Sequence, residues 1–153
     1  MNQQSKADIL EITDGQFDCT FKTRVYRVFR FSKAAIPHIP PGASIINTVS
    51  VNSYDPGEEL IDYAATKAAI LNLNKGMAKQ LAKRDNRVNA VAPGPVWTPL
   101  QVAGGQLEGQ MKEFGHDTPL GRAGQPAELA SLYVALAEED ASFSTGTVVG
   151  RLG

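Results

Sequence analysis

A serine, a tyrosine and a lysine are spaced so that they could meet in one pocket. Tyr63 and Lys67 stand four residues apart at the start of a predicted helix and therefore share one of its faces. Ser50 precedes Tyr63 by thirteen residues and lies at the end of an apolar run typical of a strand. Because ligands of open α/β sheets bind beyond the carboxyl ends of the strands, the three side chains could converge there. A phenol beside an ammonium group is suited to proton transfer with a substrate, although such a pair alone is also typical of a helix surface.

The elements that must position these groups follow from hydrophobic periodicity and from capping residues. Thr13 and Gln16 have the spacing of a capping box, and Pro37 ends the helical pattern that follows. Short β-branched runs predict strands, one of which leads into a rigid Pro93-Gly94 turn. The predicted helices cover 14–36, 61–84 and, after a Gln125-Pro126 start, residues up to about 139, and the predicted strands cover 43–51, 87–91 and 145–149.

Alternation of helix and strand favours a parallel sheet with helices on both faces. We therefore predict an α/β fold of about three parallel strands, in a single, partial domain that spans residues 1–153. The polar residues 1–12 carry no clear element, and we expect a poorly ordered start. Glycines make residues 97–120 irregular, with a possible short helix at 106–114.

Composition argues against several classes of function. Fifteen Lys and Arg residues against sixteen Asp and Glu leave a net charge of −1, which does not suit a nucleic-acid binder or a polybasic membrane anchor. No run is long and apolar enough to cross a bilayer, and the start of the chain lacks the apolar core of a signal peptide. Cys19 is the single cysteine, and no Cys and His residues have metal-ligand spacing, so we predict no metal site. We expect a cytoplasmic protein without nucleic-acid or membrane partners.

Taken together, the motifs resemble the short-chain dehydrogenase/reductase family, and most closely its bacterial NADP-dependent aldehyde or alcohol reductases. The resemblance covers about residues 8–150 and implies the C-terminal half of a doubly wound, Rossmann-like sheet. No strand followed by a GxGxxG turn and a helix occurs in the 153 residues. The segments that carry the resemblance, besides Ser50, are Tyr63-Ala-Ala-Thr-Lys67, Arg87-Val-Asn-Ala-Val-Ala-Pro-Gly94, Ala92-Pro-Gly-Pro-Val-Trp-Thr-Pro-Leu100 and Gly121-Arg-Ala-Gly-Gln-Pro-Ala-Glu-Leu129.

The resemblance assigns catalytic roles to three of these residues. Tyr63 is expected to act as the general acid in reduction of a carbonyl and as the base in oxidation of an alcohol. The ammonium group of Lys67 is expected to stabilise the tyrosinate and to bind the nicotinamide ribose. Ser50 is expected to hydrogen-bond the substrate oxygen.

The resemblance also implies NADP or NAD as cofactor and a small carbonyl or alcohol as substrate. The expected cofactor-binding residues, beside Tyr63 and Lys67, are Pro93, Gly94 and the Val96 backbone at the nicotinamide, and Thr98 near the pyrophosphate. The variable region 97–120 is expected to lie on the substrate side. Family members also associate through the two long helices, so we expect a homo-oligomer formed through 14–36 and 61–84.

Two features leave an alternative open, namely a non-catalytic remnant that keeps only this dimerisation surface. The first is the missing glycine-rich cofactor loop. The second is Arg24, which stands where the resemblance places an asparagine that supports a proton-relay water. Arginine cannot accept a hydrogen bond and carries a fixed charge. Beside Lys67 it would be repulsive unless it turned to solvent.

Overall fold

Three parallel strands form the centre of the molecule. The computed structural model describes residues 4–105 and 109–153. The strands are β1 (Ser44–Thr48), β2 (Arg87–Pro93) and β3 (Val148–Arg151), hydrogen-bonded in that order. The helices are α1 (Asp14–Phe21), α2 (Arg27–Ala35), α3 (Ile61–Leu81) and α4 (Ala130–Ala137). The predicted α/β class with three parallel strands is confirmed.

The helix predicted over 14–36 is interrupted by a π-helical segment, Lys22–Tyr26, which separates α1 from α2. Thr13 begins α1 as predicted, because its hydroxyl oxygen accepts a hydrogen bond from the N–H of Gln16 at 3.2 Å. The reciprocal bond of the capping box is not formed. The Gln16 side chain instead donates to the carboxylate of Asp62 at 3.3 Å, which ties α1 to the first turn of α3.

The strand ends differ from the prediction for local reasons. β1 ends at Thr48 because Ser50 begins a 3₁₀ turn, Val51–Ser53, that leads the chain away from the sheet. β3 begins three residues later than predicted, because Thr145 and Gly146 contact β2 outside the regular ladder. The Thr145 hydroxyl accepts from the Val88 N–H at 3.1 Å, and Gly146 has a positive φ of 72°.

Short helical turns replace or extend several of the predicted elements. The predicted helix at 126–139 is a 3₁₀ turn, Pro126–Leu129, followed by α4, and α3 continues into a 3₁₀ turn, Ala82–Arg84. A 3₁₀ turn at Ile9–Glu11 lies within the polar start, where no element was expected. The region 97–120 contains a π-helical turn, Gln101–Gly105, and a 3₁₀ turn, Gln110–Lys112. Part of the predicted short helix at 106–114 lies outside the described residues.

The core lies where α3 packs against β2, the central strand. Val88, Ala90 and Val91 of β2 are fully buried, and Ile70 of α3 packs in one cluster with Ala90 and Ala92. Arg87 at the start of β2 is also buried and donates hydrogen bonds to carbonyl oxygens at the end of α4, including that of Leu136 at 2.8 Å. This contact anchors α4 to the sheet from the side opposite α3. Within the described ranges, no helix is long and apolar enough to cross a membrane.

Candidate functional site

A cavity of about 370 Å³ opens at the carboxyl ends of β1 and β2. Its wall includes every residue that the sequence singled out for catalysis or cofactor binding. These are Ser50, Tyr63, Lys67, Pro93, Gly94, Val96 and Thr98. The fold therefore brings the predicted site residues together, while their chemical roles stay predictions.

Ser50 is held in place by the turn that it begins. Its hydroxyl oxygen accepts hydrogen bonds from the backbone N–H of Asn52 at 3.2 Å and from the Asn52 side chain at 3.4 Å. The residue is 6% exposed. Because the oxygen acts as acceptor in both bonds, the hydroxyl hydrogen can be donated to a substrate oxygen in the cavity.

Lys67 reaches across the cavity wall from α3 to the end of β1. Its ammonium group donates a hydrogen bond to the carbonyl oxygen of Thr48 at 2.8 Å, and its Nζ lies 5.7 Å from the centroid of the Tyr63 ring. Burial, and after it the positive charges of Arg24 and Arg27, lower the pKa of Lys67 from 10.5 to about 8. The ammonium form therefore costs free energy here, and its hydrogen bond to the neutral Thr48 carbonyl offsets only part of that cost.

Arg24 is directed into the site rather than to solvent. Its guanidinium carbon lies 4.7 Å from the centroid of the Tyr63 ring, closer than the Lys67 ammonium group. Burial lowers the pKa of Arg24, while Tyr63 and the carboxylate of Asp62 act in the opposite direction. The π-helical segment contains Arg24 and determines which face of the helix carries it. The expected repulsion of Lys67 is present, but the alternative of an Arg24 turned to solvent is wrong.

The turn after β2 also lines the cavity. Gly94 donates its N–H to the carbonyl oxygen of Arg151 at 2.9 Å, and a Cβ atom at this position would lie 2.9 Å from the carbonyl oxygen of Leu152. Only glycine allows this approach of two backbone segments. Val96 pairs with Gly124 as an isolated parallel bridge.

Two backbone groups of Val96 take no part in that bridge. The hydrogen bonds of the bridge join the N–H of Trp97 to the Gly124 carbonyl oxygen and the N–H of Gly124 to the Pro95 carbonyl oxygen, each at 2.9 Å. They leave the N–H and the carbonyl oxygen of Val96 itself unused by the bridge. An N–H and a carbonyl oxygen at a cavity wall match the donor and acceptor of a carboxamide. By contrast, the N–H and the hydroxyl of Thr98 both donate to the side-chain oxygen of Gln101. A phosphate near Thr98 would have to replace that glutamine oxygen.

Sequence reasoning missed several residues that shape the site. The Thr48 carbonyl receives Lys67, and the Thr48 hydroxyl shares a hydrogen bond of 2.8 Å with the Tyr133 hydroxyl from α4. Asp62 is 3% exposed and accepts hydrogen bonds from Thr20 at 2.8 Å and from the N–H of Tyr63 at 2.7 Å. An aspartate in the first turn of a helix usually complements the helix dipole at the surface, so the sequence carried no signal of its burial.

Comparison with known proteins agrees with this architecture. A family model described as enoyl-(acyl carrier protein) reductase matches residues 1–150. The chain is 52% identical to the uncharacterized oxidoreductase YghA of Escherichia coli, over 95% of this chain and 50% of that protein. It is 44% identical to NADPH-dependent aldehyde reductase 1, chloroplastic, of Arabidopsis thaliana, over 96% of this chain and 51% of that protein.

Solved structures show the same fold. A 3-ketoacyl-(acyl-carrier-protein) reductase from Brucella melitensis, complexed with NADH, has a TM-score of 0.88 and 26% identity, over all of this chain and 62% of that one. A short-chain dehydrogenase/reductase described as glucose/ribitol dehydrogenase, from the same organism, has a TM-score of 0.87 and 31% identity, over 99% of this chain and 61% of that one. The chain thus spans about half the length of the curated relatives it matches. With a family match over nearly its whole length and the same parallel sheet, the chain belongs to the short-chain dehydrogenase/reductase family.

Proposed function

We propose that the cavity is the reaction centre of an NAD(P)-dependent oxidoreductase that reduces a small aldehyde or ketone, or oxidises the corresponding alcohol. The observation that carries the proposal is the meeting of Ser50, Tyr63, Lys67 and the Gly94 turn around one cavity. Ser50 supplies a hydrogen-bond donor for the substrate oxygen, Tyr63 a proton, and Lys67 a positive charge. Gly94 has no side chain, so a ligand can approach its backbone closely. The names of the aldehyde reductase and of the NADH-complexed structure support this class of reaction.

Ser50 and Tyr63 would handle the substrate oxygen. Ser50 donates its hydroxyl hydrogen to the carbonyl oxygen and fixes its position, because its own oxygen is anchored by Asn52. Tyr63 transfers its phenolic proton to the same oxygen as the carbonyl carbon accepts a hydride, which yields the alcohol and leaves a phenolate. Positive charge from Arg24 and Lys67 stabilises that phenolate. In the direction of oxidation, the phenolate takes the proton back.

The residues present fit the nicotinamide side of such a cofactor. A nicotinamide dinucleotide, when bound, supplies or accepts the hydride. The Val96 backbone would hold the carboxamide, the Pro93-Gly94 turn would border the ring, and Lys67 would contact the ribose. Thr98 would approach the phosphates only after release from Gln101. The proposal covers NADP and NAD alike.

The test combines binding and turnover on the 153-residue chain. Amide NMR spectra of the ¹⁵N-labelled protein are recorded with nicotinamide mononucleotide at millimolar concentration, and then with NADPH and NADH. Short aldehydes are offered with each reduced cofactor in an absorbance assay. We expect the Gly94 and Val96 amides to shift, and Lys67→Ala to abolish the shifts. Shifts that map away from the cavity, or none at millimolar concentration, contradict the proposal.

Tyr63→Phe and Tyr54→Phe form the matched pair for turnover. Tyr54 is 60% exposed and lies outside the cavity wall. Loss of a positioned proton donor lowers a rate by about 10²–10⁴-fold, so Tyr63→Phe should lose nearly all turnover while Tyr54→Phe keeps it. Equal rates in the two variants would remove Tyr63 from the mechanism.

A second candidate function, a non-catalytic association module, is favoured by the apolar surface along α2 and α3. Phe29 and Phe31 of α2 are 50% and 71% exposed. Phe29 also lines a groove of about 390 Å³ together with Leu73 and Met77 of α3. We propose that a second copy of the chain covers this surface.

Light scattering at micromolar concentration tests this association. We expect a homodimer, and Phe29→Asp should shift it toward monomer. Arg30→Asp, one position along, places the same carboxylate on the helix and serves as the control. A monomeric wild-type protein would contradict the association. Dimerisation without any nicotinamide-induced shift would favour the association module over the enzyme.

A further inference from the structure

Two cations lie beside the phenol ring of Tyr63. The guanidinium carbon of Arg24 is 4.7 Å from the centroid of the Tyr63 ring and the Lys67 Nζ is 5.7 Å from it. Arg24 comes from the π-helical segment before α2, whereas Lys67 comes from α3, one turn after Tyr63 itself. The ring is therefore approached by positive charge from two separate elements.

The two cations differ in what holds them. Lys67 donates to a neutral backbone carbonyl, that of Thr48, and no carboxylate acts on its charge among the described groups. Arg24 lies within the electrostatic reach of the Asp62 carboxylate. That carboxylate is 3% exposed and is itself fixed by Thr20 and by the Tyr63 N–H. Arg24 thus has a buried counter-charge and Lys67 does not.

We propose that Arg24 is the fixed positive charge of this site, a positioning residue that acts through the Tyr63 ring and leaves Lys67 free to change its charge. A guanidinium group keeps its proton across the neutral and alkaline range in which lysine titrates. An amine in the same surroundings, with two arginines and a neutral acceptor, loses its proton far more readily. The inference rests on the proposed role of Tyr63, but its test requires no turnover.

The test must separate the effect of Arg24 on the pKa of Lys67 from the effects of burial and of the other groups that face Lys67. Arg24 and the exposed Arg27 come from the helical segment 22–35, the Thr48 carbonyl comes from β1, and Tyr63 comes from its own helix. The pKa of Lys67, about 8, is lowered first by burial and then by the two arginines. Removing Arg24 should therefore raise the pKa of Lys67 toward its ordinary value of 10.5 without restoring it fully.

The experiment follows the Lys67 side chain by NMR of the full chain labelled at the lysine ε-carbon, with Lys67→Met to identify the signal. Wild-type protein, Arg24→Asn, Arg24→Lys and Arg30→Asn are titrated across neutral to alkaline pH. Arg30→Asn is the matched control, since it removes one exposed guanidinium that lies 5.7 Å over another ring, that of Tyr26. We expect a wild-type midpoint near 8, a higher midpoint in Arg24→Asn, and midpoints close to wild type in Arg24→Lys and Arg30→Asn.

Three results would overturn the inference. A wild-type midpoint near 10.5 would do so without any variant, which keeps the test decisive if Arg24→Asn fails to fold. An unchanged midpoint in Arg24→Asn would show that burial alone governs Lys67. An equal rise in Arg30→Asn would show that the total charge of the helix, rather than the position of Arg24, is responsible. None of these results depends on cofactor binding, so failure of the proposed function is recognised separately.

Discussion

Replacing Asp62 with alanine measures how far one buried carboxylate holds the site together. Asp62 joins two helices, since it accepts hydrogen bonds from Gln16 and Thr20 on α1 and from the N–H of Tyr63 on α3. Two of these bonds are short, at 2.8 and 2.7 Å, and the third is long, at 3.3 Å. The carboxylate also offsets part of the charge of Arg24. Asp62→Ala removes all of these interactions at a residue that is 3% exposed.

The magnitude follows from the two short bonds. A hydrogen bond to a charged group contributes about 1.5–3 kcal/mol, and the donors left behind in Asp62→Ala recover part of this by bonding water or, for Thr20, the Gln16 carbonyl. We therefore expect the free energy of unfolding to fall by about 2–4 kcal/mol. With a urea slope of about 2 kcal/mol per molar, the urea midpoint should fall by about 1–2 M.

Urea unfolding followed by circular dichroism and by the fluorescence of Trp97 measures this loss. Asp62→Asn should lose less, because its amide oxygen can still accept from the Tyr63 N–H while its NH₂ group faces the donors of α1. Asp18→Ala is the surface control, since Asp18 is exposed and pairs with Lys22 one turn away. A midpoint for Asp62→Ala within error of that for Asp18→Ala would refute the reasoning, because the carboxylate would then contribute nothing as a link between helices.

Three further predictions concern stability. Burial and two nearby arginines lower the pKa of Lys67 from 10.5 to about 8, so the unfolded chain binds more protons between these values and the free energy of unfolding should rise with pH across that window. Urea unfolding at a series of pH values should show a smaller rise in Lys67→Met. Gly115→Ala should destabilise the fold strongly in a thermal melt, because Gly115 has a φ of 88° and an added Cβ would lie 2.3 Å from the backbone nitrogen of Ala123; a wild-type Tm would contradict this geometry. Asn47 donates to Asn74 at 2.9 Å inside the core, so Asn47→Val alone should cost more than Asn47→Val combined with Asn74→Leu, and a double-mutant cycle with additive losses would exclude the coupling.

The sequence was sufficient to predict the meeting of Ser50, Tyr63 and Lys67, because two simple geometric rules determine it. The end of a parallel strand and the start of the next helix lie at the same edge of a sheet, and residues four apart on a helix share a face. The glycine at position 94 was likewise readable, since a Pro-Gly pair after a strand predicts a turn. These features depend on local chain geometry and need no knowledge of long-range packing.

The remaining features of the site depend on contacts between residues distant in sequence. No periodicity marked the π-helical segment that turns Arg24 toward Tyr63, because the apolar pattern over 14–36 fits an uninterrupted helix equally well. The burial of Asp62 results from Thr20 and Gln16, more than forty residues earlier. The start of β3 was placed too early because the Thr145 hydroxyl takes the place of a ladder acceptor for the Val88 N–H. Each of these depends on side chains that meet only after folding.

The π-helical segment Lys22–Tyr26 makes the electrostatics of the site sensitive to chain length as well as to residue type. Such a segment corresponds to one extra residue accommodated within an α-helix. Deleting one residue between Lys22 and Arg24 would let α1 and α2 join as a regular helix, keep α2 in its place and move the arginine to another face by about 100°. A single-codon deletion could thus remove a buried charge from beside Tyr63 without altering one residue of the cavity wall, and an insertion could return it. In this fold, the length of the helical segment before α2, and not only its residue types, therefore determines whether a positive charge lies beside the Tyr63 phenol.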